Sequence, residues 1–120
     1  DMTAMKIEFL GGAESRMIRP RVAERLRAIV GALPVTATSA RATFTDENGP
    51  KGGNAIRCAL EVRLPRRAAI HVEEVATTPR GALDGAVAKL ERQLDRVFDT
   101  TREMRRRPKK YFAARRTLLS

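Results

Sequence analysis

The apolar residues of this 120-residue chain switch between two spacings, and the order of the switches leaves few folds open. "MKIEFL" (5–10) alternates, with Ile7 and Phe9 on one side and Lys6 and Glu8 on the other, which predicts a half-buried strand ended by Gly11-Gly12. Ile18, Val22, Leu26, Ile29, Val30 and Leu33 then follow helical steps. Ser15 could cap this helix, but a start near Pro20 is the alternative, because proline is tolerated only in the first turn. Gly31 and Pro34 close it. Period two returns over 35–45, with Ala40, Ala42 and Phe44 in phase. "DENGPKGG" (46–53) makes a loop. Over 54–64 Ile56, Cys58, Leu60, Val62 and Leu64 point in, while Arg57, Glu61 and Arg63 point out. After the "PRR" turn a shorter strand covers 69–75, with Ile70 and Val72 inward. Thr78 caps a last helix with Pro79 at its first position, and Leu83, Val87, Leu90, Leu94 and Val97 carry its apolar face to about Phe98.

The order is β-α-β-β-β-α. The first βαβ unit calls for two parallel strands, and the short later loops favour antiparallel hairpins. Two amphipathic helices need one sheet face to cover. The expectation is an α+β sandwich of two layers, a four-stranded sheet with both helices on one face, resembling the double-stranded-RNA-binding fold. One domain over 5–100 and a basic, flexible tail over 101–120 complete the layout.

Catalysis needs a nucleophile with a base, paired carboxylates or a metal cluster. Cys58, in phase with Ile56 and Leu60, reads as a core residue, and His71, out of phase with Ile70 and Val72, as a surface one. Glu73 and Glu74 are strand neighbours on opposite faces. One cysteine and one histidine build neither a disulfide framework nor an ordinary zinc site. "GPKGG" lacks the phosphate-loop spacing and reads as a hairpin loop. The expectation is therefore no enzyme, no cofactor, no metal and no small-molecule substrate. No apolar run approaches a membrane span and the N-terminus has no signal-peptide core, so a cytoplasmic protein without membrane contact is expected.

The charge is more informative. Twenty-four Lys and Arg against 14 Asp and Glu give +10, a balance whose commonest partner is nucleic acid. Residues 101–120 hold eight basic side chains and one acid. Elsewhere the cations are grouped. Lys89, Arg92 and Arg96 recur at helical steps beside the apolar stripe of the last helix, a ridge that packing does not require. Ion pairs such as Arg92 with Asp95 or Arg96 with Asp99, at about 0.3–0.5 kcal/mol each, do not account for a cationic ridge. The first helix adds Arg19, Arg21, Arg25 and Arg27, with Arg21 and Arg25 on one face. If the helices lie side by side, the two rows become neighbours, a surface for the phosphates of structured RNA.

"HVEEVATTPRGALDGAVAKLERQLDRV" (71–97), with "RVAERLRAI" (21–29) and "TFTDENGPKGGNAIRCALEVRLP" (43–65), resembles the ribosome hibernation promoting factors and ribosome-associated inhibitors, also described as sigma-54 modulation proteins. The likeness covers roughly residues 5 to 98. It implies a stationary-phase domain between the head and body of the small ribosomal subunit, overlapping the A- and P-site positions of tRNA and mRNA. It also implies contact with 16S ribosomal RNA through Arg25 of the first helix and Lys89, Arg92 and Arg96 of the second. The family's last helix usually opens with an Asp-x-Tyr type turn, whereas Thr78, Pro79 and Arg80 stand here. Long members add a second domain and inhibitor-type members an acidic tail, whereas "REMRRRPKKYFAARRTLLS" (102–120) is basic.

The candidate RNA-binding residues are Arg21, Arg25, Lys89, Arg92 and Arg96, joined in the tail by Arg102, Arg105 and Arg106. The tail has two readings, a strand-tracking segment with Tyr111 and Phe112 stacking on bases, or a solubilising extension. Two other functions compete with the ribosomal one: a generic structured-RNA-binding accessory domain, and a protein-interaction module.

Overall fold

A computed structural model describes residues 3–11, 13–47, 53 and 55–104, and gives the backbone course alone for 13–15 and 100–104. Strand β1 (Ala4–Leu10) leads through a 3₁₀ segment (Ala13–Ile18) into helix α1 (Arg19–Gly31). Strands β2 (Ser39–Asp46), β3 (Ile56–Arg63) and β4 (Ile70–Ala76) follow, and helix α2 (Pro79–Met104) ends the described chain. The sheet order is β1-β2-β3-β4. β1 and β2 are parallel, with Ala4 beside Ser39 and Phe9 beside Phe44, while β2–β3 and β3–β4 are antiparallel. This is the α+β arrangement expected from the apolar periods.

Alternation decides which strand residues face the helices. Phe9, Ala40, Ala42, Phe44, Ile56, Cys58, Leu60, Val62, Ile70 and Val72 form the buried side of the sheet. Phe9 and Phe44 stack across the parallel pair with ring centroids 5.3 Å apart. Val22, Leu26, Ile29 and Val30 of α1 close one half of the core; Leu83, Val87, Leu90, Leu94 and Phe98 of α2 close the other. Cys58 is fully buried, and burial in apolar surroundings pushes its thiol up to about 12. His71 lies on the exposed side of β4, between Glu73 at 2.9 Å and Glu61 at 3.9 Å.

The boundaries moved for local reasons. β2 starts at Ser39 rather than near residue 35, because β1 begins at Ala4, opposite Ser39, and offers no strand beyond it. The connecting residues are tied instead by Thr3 Oγ1 donating to Ala37 O and Thr38 N to Arg63 O, both at 2.8 Å. The chain already winds from Ala13, but as a 3₁₀ turn. α1 proper begins at Arg19 with Ile18 before it and no side-chain cap, so Ser15 does not cap it. Pro20 falls in the first turn, where its missing N–H has no carbonyl to lose. Thr78 caps α2 as read, its hydroxyl accepting the Gly81 N–H at 3.0 Å. α2 runs on past Phe98 to Met104, since no Gly or Pro interrupts 99–104 and backbone hydrogen bonding does not require the apolar stripe to continue.

Candidate nucleic-acid interface

The cations of α2 are placed by how the helix crosses β4. Glu74 stands on the helix side of β4, beneath Gly85, where a Cβ would come within 2.5 Å of the Glu74 Cγ. The absent side chain lets the helix settle over this carboxylate. One turn further on, Lys89 reaches back over the edge strand, its Nζ donating to Glu74 Oε1 and to the Glu73 carbonyl, both at 2.8 Å. The ammonium therefore seals an exposed strand edge as well as pairing a charge. It has three N–H donors and two are used here, so a fixed, half-exposed cation keeps one donor for a ligand.

Arg92 and Arg96 continue the ridge. At roughly 100° per residue they lie within roughly 60° of Lys89 around the helix. Both are exposed, and neither is joined to an acidic side chain among the described residues.

The expectation that the basic rows of the two helices adjoin is not met. Asp84, Glu91 and Asp95 occupy the opposite flank of α2, and Asp84 stands roughly 140° from Lys89. Asp84 meets α1, where Arg25 Nη1 donates to Asp84 Oδ1 at 3.1 Å. The physical reason is the rotation of α2. With its apolar stripe on the sheet, one flank must face α1 and the other the β4 edge, and the cations lie on the edge side. Arg21 sits half-buried on α1, and its Nε is buried without a hydrogen-bond partner. Arg19 is used structurally, donating to Ile7 O at 3.2 Å and lying 4.9 Å above the Phe9 ring. Arg102 falls in the last turn of α2, where the backbone alone is described; Arg105, Arg106 and the remaining tail lie outside the described residues.

Two contacts between elements are invisible to periodicity: Glu74 under Gly85, which fixes Lys89, and Arg67, whose guanidinium covers the Phe98 ring at 4.7 Å. The placement of Glu74 and Glu73 on opposite faces of β4 was legible from alternation; the partner of Glu74 on α2 was not. On the open face of the sheet Arg57 bridges Glu47 and Glu73 at 2.8 and 2.6 Å. The His71 ring and then the Arg57 guanidinium hold the Glu73 carboxyl below the usual carboxylate range. Among the described residues no group of three or more His, Cys, Asp or Glu could hold a metal ion, and no helix is long and apolar enough to cross a membrane.

The family model described as "Sigma 54 modulation protein / S30EA ribosomal protein" matches residues 12–102. The fold is similar to that of the Thermus thermophilus Protein Y N-terminal domain, at a TM-score of 0.64 and 24% identity, over 80% of this chain and 99% of that one. It is also similar to a ribosomal subunit interface protein from Coxiella burnetii, at a TM-score of 0.64 and 15% identity, over 81% and 99%. No curated protein matches the sequence.

Proposed function

The chain belongs to the sigma 54 modulation protein / S30EA ribosomal protein family, and from that premise we propose that it is a ribosome-associated factor that silences translation by occupying the small subunit. The partner is the 16S ribosomal RNA, in the region where mRNA and tRNA enter the A and P sites. The mechanism is occlusion, with no bond made or broken and no cofactor, in the cytoplasm of resting or stressed cells. The observation that carries this reading is the ridge on α2. Among the described residues Arg92 and Arg96 stand exposed without acidic partners beside an ammonium, that of Lys89, which the fold holds in place. Guanidinium groups left unpaired on a rigid helix lose little freedom on meeting phosphate and can engage it bidentately. Arg21 and Arg25 take part from α1, Arg25 by exchanging Asp84 for phosphate, and Arg102, Arg105 and Arg106 extend the contact past the core.

Co-sedimentation with purified small subunits across a salt series tests this reading. The parent saturates at one copy per subunit. Arg92→Gln/Arg96→Gln flattens the log–log salt dependence by about 0.7–0.9 per lost phosphate contact. An unchanged slope in that variant would make the ridge a solvated face, and equal affinity for any RNA duplex would favour a generic structured-RNA binder.

A further inference from the structure

We propose that the open face of the sheet carries a second RNA-phosphate surface, at the corner formed by Lys6, Arg41 and Arg63; this rests on the reading of the chain as a binder of ribosomal RNA. The strand register brings these cations together. Lys6 of β1 lies beside Arg41 of β2, and Arg41 lies opposite Glu61 of β3, two residues before Arg63. All three cations point away from the helices. Glu61 does not neutralise Arg41, because its carboxylate is turned to Arg63 at 3.0 Å and to His71 at 3.9 Å. Arg41 is exposed and makes no ion pair among the described residues. Among the described residues Lys6 has only Glu8, at 3.6 Å, in a pair open to solvent.

Two cations side by side on neighbouring strands repel each other, and an external anion relieves that repulsion. Lys6, Ser39, Arg41, Glu61 and Arg63 line the polar side of a shallow hollow of about 200 Å³. Arg66 adds a further exposed cation on the adjoining turn, in a left-handed conformation (φ 60°) that an arginine adopts at some strain. The far end of the same face is different in kind. There Arg57 is held by Glu47 and Glu73, and Glu73 also by His71, so among the described residues no cation is left over.

The chemistry favours RNA over an acidic protein. Two of the three corner cations are arginines, whose forked donors match phosphate oxygens. The next cross-strand row of outward side chains is Glu8, Thr43, Ala59 and Glu73, with no large apolar group to form the pocket on which protein contacts usually anchor. The corner lies on the opposite side of the sheet from the α2 ridge, so the two surfaces engage different stretches of backbone, and a domain held on both sides spans a cleft rather than lying on one wall.

The experiment uses the full chain, purified small subunits and protein-free 16S RNA, with the parent, Arg41→Gln/Arg63→Gln and Arg92→Gln/Arg96→Gln compared across salt. The expected result is a slope flattened by about 1.4–1.8 in the corner variant, on subunits and on free RNA, with thermal unfolding close to that of the parent. An unchanged slope in the corner variant, with the helix variant still affected, would overturn this inference and leave the ribosomal reading standing. A loss seen on subunits but absent on free RNA would assign the corner to a ribosomal protein and also overturn it. Absence of saturable binding by the parent would remove the ribosomal reading and the inference together.

Discussion

Gly85→Ala on an exposed helix face ordinarily stabilises, since alanine exceeds glycine in helix propensity by about 0.8–1 kcal/mol. Here the opposite is expected. The new Cβ would lie 2.5 Å from Glu74 Cγ and 3.0 Å from Glu74 Cδ, so the carboxylate must leave its place or α2 must lift off β4. Overpacking of this kind costs about 1–3 kcal/mol. Displacing Glu74 also breaks the 2.8 Å pair with Lys89, a half-exposed contact worth up to about 1 kcal/mol. The net expectation is a loss of roughly 1–2 kcal/mol, which for a core of this size lowers Tm by roughly 4–16 °C. Thermal unfolding followed by circular dichroism reads the shift directly. The attribution is tested in a double-mutant cycle with Glu74→Ala, which removes the obstructing atoms. In that background Gly85→Ala should become neutral or stabilising by up to about 1 kcal/mol. An equal destabilisation with and without the Glu74 side chain would refute the account of how α2 crosses β4, and with it the claim that Lys89 is held in place.

Gly31→Ala should raise stability by about 0.5 kcal/mol, because Gly31 ends α1 in an ordinary helical conformation and an added Cβ meets nothing within 4 Å; an unchanged or lower denaturation midpoint would count against that. Thr78→Ala should cost about 1 kcal/mol by freeing the Gly81 N–H, while Thr78→Ser should retain most of the cap, both read from chemical denaturation. Cys58 should react with a thiol reagent at mildly alkaline pH only as fast as the domain opens, so a denaturant-independent fast reaction would contradict its burial. The Glu73 carboxyl is depressed in the folded chain, so its contribution is present above the ordinary glutamate value near about 4.3 and is lost as pH falls through the lower folded value. Glu73→Gln should therefore be less stable than the parent at neutral pH and converge with it in acid; parallel stability curves down to the acid limit would sink the assignment.

Where a property depended on period alone, the sequence was sufficient. The strand-helix order, the burial of Cys58 and Phe44, the exposure of His71 and the Thr78 cap all follow from which residues share a face, and the structure places them there. Element ends were less legible. The start of β2 is set by where β1 offers a partner, and the end of α2 by backbone hydrogen bonding past the last apolar residue. The two cation rows were legible as rows, but their mutual position was not. A count of residues fixes each side chain relative to its own apolar stripe, whereas which flank of α2 faces α1 depends on the layer order. That order set Asp84 against Arg25 and turned Lys89 to the outer edge. Glu74 under Gly85 is a contact between elements, invisible to any pattern within one element.

The central claim is occlusion of the tRNA path, and the most direct measurement is competition on purified small subunits between this chain and P-site tRNA. The affinity of subunits for labelled tRNA is measured at rising protein concentration. The account predicts mutual exclusion, with apparent tRNA affinity falling in proportion to protein occupancy and the reciprocal loss seen for the protein when tRNA is in excess. Simultaneous binding of both at full affinity would contradict it, whatever the charge on α2.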